Sequence, residues 1–117
     1  MQYSGIHDAG ADALGHALAK NKHLTLLQLR GNHIKDQGAK SLAQALKKNT
    51  KLGTLNLRGN TIGDEGGKAF AEALTENPKS VLKKLWLISN RMDDKTAEKV
   101  NKALELIGGA YSYQSRP

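Results

Sequence analysis

One stretch of this chain returns twice. Leu24 to Asn49 reads LTLLQLRGNHIKDQGAKSLAQALKKN. After 28 residues it recurs as LGTLNLRGNTIGDEGGKAFAEALTEN, Leu52 to Asn77. A looser copy, LKKLWLISNRMDDKTAEKVNKALELI, begins 30 residues later at Leu82, because two residues are inserted near Pro78. A fixed period of this size marks a stacked array in which no unit can bury its apolar face alone.

Each unit is read the same way. Leu27 and Leu29 are two apart, so both point to one face of a short strand, and Gln28 points to the other. Gly31 and Asn32 turn the chain, and Ile34 returns to the core. A helix follows. The spacing predicts strands at residues 26–29, 54–57 and 84–87, and helices at 8–20, 36–48, 64–76 and 94–106. The buried helix faces are read as Ala39, Leu42, Ala43, Leu46; then Ala69, Phe70, Ala73, Leu74; then Val100, Ala103, Leu104, with Ala97 at the first turn. Gly38 and Gly66 suit close helix stacking, and Thr96 at the same position predicts looser packing there. Asp36, Asp64 and Glu65 lie in first turns, where carboxylates complement the helix dipole, and Asp93 is a predicted N-cap.

The chain reads as one domain. A half repeat spans 1–23, full repeats span 24–51, 52–81 and 82–107, and a tail spans 108–117. In the half repeat, Ile6, Gly10, Leu14 and Leu18 match Ile34, Gly38, Leu42 and Leu46. Ala9, Ala13, Leu14, Ala17 and Leu18 form its apolar stripe. This helix either caps the stack or continues a longer array. Ala110 and Tyr113 fall on leucine positions of the frame, so the tail is either a degenerate strand or a frayed end. One strand and one helix per unit, always in the same sense, give parallel pairing. Strands then line one side and helices the other.

At 117 residues the chain holds one modest core, and with 4% aromatics that core is aliphatic. Cysteine is absent, which excludes disulfides and thiolate metal sites and suits a reducing, cytoplasmic setting. No run approaches a membrane span, and the reading includes no membrane partner. The net charge of +7 favours acidic partners, but the lysines are spread over every repeat, with no run beyond a pair. A solvated basic surface is the plainer reading.

The pattern LxxLxLxxNxI, followed by a helix of form IxxxGxxxLxxAL, resembles leucine-rich repeats. The length of 28 residues is similar to the ribonuclease-inhibitor-like subclass, which includes repeat regions of NOD-like receptors and of Ran GTPase-activating protein. The resemblance covers Ile6 to Leu104. It implies a short right-handed α/β horseshoe segment, a leucine-rich-repeat solenoid with strands concave and helices convex. It also implies an internal ladder of Asn32, Asn60 and Asn90, each amide bonded to backbone of its own and the adjacent turn. The family shares an architecture and no chemistry.

Catalytic and metal signatures are missing. His7, His16, His23 and His33 occupy unrelated repeat positions, without metal-ligand spacing, so no metal or cofactor is expected. No serine sits in an elbow motif, and RGN at Arg30 and Arg58 is repeat grammar, not a phosphate loop. The reading is therefore a non-catalytic protein-interaction module. Its candidate site is the open sheet face: Gln28, Arg30, Asn56, Arg58, Lys84, Trp86 and Ile88, facing a partner with an acidic surface. Trp86 has a second reading, as a residue packed under the tail. Two other functions are weighed. One is self-assembly through the exposed edge of the first strand. The other is binding of nucleic acid, which ranks lower because stacking aromatics are few.

Overall fold

The computed structural model describes residues 5–88 and 90–109. Four helices alternate with three strands: α1 (Asp8–Lys20), β1 (Leu26–Gln28), α2 (Asp36–Leu46), β2 (Thr54–Asn56), α3 (Asp64–Glu76), β3 (Lys84–Trp86) and α4 (Asp94–Leu106). The strands form one parallel sheet in the order β1-β2-β3. Leu27 pairs with Leu55 and Leu55 with Leu85, so the leucine columns lie in register. Pairing runs past the short strands. Leu29 N–H donates to Asn56 O and Leu57 N–H to Trp86 O, both at 2.8 Å. The tail, and any fourth strand in it, lies outside the described residues apart from Gly108 and Gly109.

The repeated leucines build the core. Leu27, Leu29, Leu55, Leu57, Leu85 and Leu87 are each 1% exposed or less, and Phe70 and Val100 close the helix side. α2 stops at Leu46, two residues short of the predicted end. Its last turn tightens there: Lys47 N–H donates to Gln44 O and Lys48 N–H to Ala45 O.

The face of α1 differs from the predicted stripe. Ala11, Gly15 and Leu18 are buried, whereas Ala9, Ala13 and Ala17 are exposed. Leu14 is half-buried. The face that packs is the one obtained by moving Ala39, Leu42, Ala43 and Leu46 back one period. Gly15 belongs to it because a Cβ there would lie 2.7 Å from Ser41 O of α2. In α3, Ala69 is only half-buried, and Gly66 and Gly67 take the helix contacts. The looser packing predicted at Thr96 is not found: Thr96 is 2% exposed.

Three columns of side chains join successive turns. Asn60 donates through Nδ2 to Leu29 O and Leu57 O, both at 3.0 Å, and its Oδ1 accepts from Ile34 N–H at 3.1 Å. Asn90 donates to Leu57 O and Leu87 O and accepts from Ile62 N–H. Asn32 donates to Leu29 O and accepts from Ile6 N–H. A second asparagine column occupies the helix-to-strand turns. Asn49 donates to Leu18 O and Asn21 O, and Asn77 to Leu46 O and Asn49 O.

The third column is acidic and works between repeats. Asp8 Oδ1 accepts from Lys35 and Gly38 N–H at the start of α2. Asp36 Oδ1 accepts from Gly63 and Gly66 N–H at the start of α3. Neither Lys35 nor Gly63 caps its own helix with a side chain. The carboxylate of the preceding repeat supplies that cap instead. In α4 the task is divided. Asp64 takes Asp93 N–H, while Asp93 accepts from Thr96 N–H at 2.8 Å.

Candidate interaction surface

With the leucines committed to the core, alternate strand residues form the open face of the sheet. The register sets them in rows: Leu26, Thr54 and Lys84, then Gln28, Asn56 and Trp86. Gly31 N–H donates to Arg58 O at 2.8 Å and Gly59 N–H to Ile88 O at 3.0 Å, so the backbone at Arg30, Arg58 and Ile88 continues the series. A strand spacing of about 5 Å separates neighbours within a row.

Arg30, Arg58 and Lys84 are exposed. Among the described residues none of the three has an ion-pair partner. Trp86 and Ile88 are half-buried, so each keeps part of its apolar surface in reach of solvent. Gln28 is half-buried as well, and its Oε1 is enclosed without a hydrogen-bond partner among the described residues. The face thus joins basic groups, an aromatic ring and an unsatisfied acceptor. Whether Trp86 meets the tail lies outside the described residues.

Asn56 is a correction. It is 8% exposed, and its Oδ1 accepts from Arg58 N–H at 3.1 Å. It lies on the central strand with a neighbour in register on each side, which covers a short side chain. Its role is to hold the backbone that presents Arg58. Leu26, by contrast, is 40% exposed and joins the face as an aliphatic contact, in the row with Gln28 and Arg30 that strand alternation gives.

No metal-binding group of three or more His, Cys, Asp or Glu occurs among the described residues. No described helix is long and apolar enough to cross a membrane. Asp93 titrates at a lowered value. The Thr96 backbone N–H, and then the Thr96 hydroxyl, hold its carboxyl below the usual range.

The comparisons with known proteins agree with this architecture. Residues 20–43 and 48–71 match the family described as Leucine Rich repeat. No curated protein matches the chain's sequence. Among solved structures, the chain is similar to "Leiomodin-1 Actin-Binding Site 2 (ABS2)", with a TM-score of 0.80 and 23% identity, over 99% of this chain and 71% of that one. At that identity the likeness speaks for the fold. Parallel strands in leucine register, a helix in every unit and an asparagine at every turn together make this chain a leucine-rich-repeat solenoid.

Proposed function

We propose that the chain is a non-catalytic interaction module that binds an acidic protein surface through the open sheet face. The observation that carries this reading is the row of Arg30 and Arg58, exposed and without ion-pair partners among the described residues, beside the half-buried ring of Trp86. Two guanidinium forks about one strand spacing apart suit paired hydrogen bonds to carboxylates. Trp86 adds apolar area next to them, and Trp and Arg are the residue types most enriched at binding hot spots. The solved neighbour is named for an actin-binding site, which supports a protein partner and makes actin the first candidate to test. The finer likeness to ribonuclease-inhibitor-like repeats rests on repeat length and helix pattern. The lack of cysteine suits a cytoplasmic setting.

The test is binding to actin filaments by co-sedimentation, and to proteins captured from cell extract. Parent, Trp86→Ala and Arg58→Ala are compared. The reading requires both variants to lose affinity. Normal binding by both, with loss on Lys40→Glu at the helix side, would move the site to the convex surface. Self-association through the outer edge of β1 is the alternative use of this sheet, since β1 ends the strand order. A concentration-dependent mass in light scattering identifies it.

A further inference from the structure

Folding gathers charge that is scattered along the sequence. Helix ends and strand starts of successive repeats meet on one rim. Asn49 donates to Asn21 O at 3.1 Å and Asn77 to Asn49 O at 3.0 Å. Gly53 N–H donates to Thr25 O and Lys83 N–H to Gly53 O, both at 2.9 Å. Counted from the last helical residue to the strand, residues 20–25, 46–53, 76–83 and 106–109 hold seven lysines and one glutamate. The opposite rim, residues 30–36, 58–65 and 88–94, holds four basic and five acidic residues. The first rim therefore carries most of the chain's net charge of +7.

Lys47 is paired with Glu76 at 3.2 Å. Lys20, Lys22, Lys48, Lys51, Lys79 and Lys83 are the other six, and all are exposed. Helix dipoles do not account for most of them: Lys20 lies in the last turn of α1 and Lys48 in the tightened turn that ends α2, but Lys22, Lys51, Lys79 and Lys83 lie beyond the helices, where the dipole's effect fades. Two large exposed hydrophobic side chains share the rim. Val81, 45% exposed, lies between Lys79 and Lys83, and Leu106, 79% exposed, ends α4. Lys83 Nζ reaches Ile107 O at 3.5 Å, which joins the two segments.

We infer that this rim docks on an anionic lipid surface. The residue types select among acidic partners. Among the described residues the rim holds no Arg, Trp, Tyr or Phe. Protein hot spots rely on Trp, Tyr and Arg, and lysine is depleted at interfaces. Single-stranded nucleic acid is held by stacking on aromatic rings. Lysine ammonium groups are compact point charges that demand no fixed geometry. Clusters of them respond to the summed potential of anionic headgroups, and aliphatic side chains among them enter the headgroup boundary. This rim adjoins the open sheet face where Lys83 precedes Lys84, and is built from different residues.

The experiment is flotation of the full chain with phosphatidylcholine vesicles, with and without phosphatidylserine, at low and raised salt. The chain should float only with phosphatidylserine, and less as salt rises. Lys51→Glu/Lys79→Glu should weaken binding at least about twenty-fivefold, since each lysine near such a surface contributes about fivefold. Val81→Asp should weaken it as well, and Arg30→Glu/Arg58→Glu, which changes the net charge by the same amount, should weaken it far less than the rim pair. Lys22→Glu/Lys48→Glu provides a second rim pair, and circular dichroism checks that each variant is folded. Absence of flotation with phosphatidylserine at low salt overturns the inference. So does parental flotation by a folded rim variant. Tighter binding to RNA or duplex DNA through the same lysines, read by fluorescence anisotropy, assigns the rim to nucleic acid and overturns it too.

Discussion

Thr96 of α4 fills the space that a side chain on Gly67 of α3 would need. A Cβ on Gly67 would lie 2.6 Å from Thr96 Cγ2 and would also overlap Met92 Sδ. The first full repeat has Ala39 where the second has Gly67, so the extra room appears only where the next helix brings a threonine. Gly67→Ala should therefore destabilise the fold. Overpacking costs about 1–3 kcal/mol, against about 1 kcal/mol gained in helix propensity. Thr96→Gly should recover part of the loss in the double variant, and a double-mutant cycle from denaturant unfolding measures that coupling.

The acidic column makes a prediction that crosses repeats. Asp36 lies in α2, yet it caps α3 through Gly63 and Gly66 N–H. Asp36→Ala should cost about 0.5–2 kcal/mol, as a lost N-cap does. The added exchange of backbone amides should appear at the start of α3. Hydrogen exchange resolved by residue locates it. Fraying confined to α2 would contradict the inter-repeat cap.

Asp93 gives a pH dependence. Its folded carboxyl titrates below the ordinary value because Thr96 N–H and hydroxyl bond to the charged form. The stability this contributes is present above the unfolded value and is lost as pH falls through the lower, folded one. Thermal melts of parent and Asp93→Ala should therefore differ near neutral pH. The difference should shrink as the medium becomes acidic, below about pH 4.

Asn60 is 4% exposed and serves two turns at once. Asn60→Ala leaves Ile34 N–H and two carbonyls without those bonds, which should cost about 1–3 kcal/mol. An unchanged melting temperature would show that water replaces the amide.

How legible this was in the sequence depended on where each interaction sits. Leucine columns and helix spans follow from apolar spacing within one repeat, so Leu27, Leu55 and Leu85 could be placed. The buried face of α1 could not be read from apolar residues alone, because Gly15 packs there for lack of a side chain while Ala13 and Ala17 face out. Local sequence makes Asp36 a partner of its own helix dipole, since nothing within one repeat shows that its carboxylate reaches the next. The rim lysines looked scattered for the same reason: neighbours in space are about one period apart in the chain. On the sheet face, alternation placed Arg58 outside correctly but could not show that Asn56 is covered by its flanking strands.

Asn56 and Arg58 separate support from contact on that face. They are two residues apart on one strand and its extension, joined by the 3.1 Å bond from Arg58 N–H to Asn56 Oδ1. Arg58 is exposed and has no ion-pair partner among the described residues. Truncating it should change stability by less than about 0.5 kcal/mol. If the face binds an acidic partner, Arg58→Ala should weaken that binding, with a milder salt dependence than the parent. Asn56 is buried, and Asn56→Ala removes the acceptor for Arg58 N–H. It should cost stability of about 1 kcal/mol and affect binding only by loosening the backbone that carries Arg58. Arg58→Lys keeps the charge but loses the planar fork, so it should recover the salt dependence without the full affinity. Melting and titration of the three variants against one partner give six readings. The division of roles fails if Asn56→Ala lowers affinity at unchanged stability, because that asparagine would then touch the partner directly.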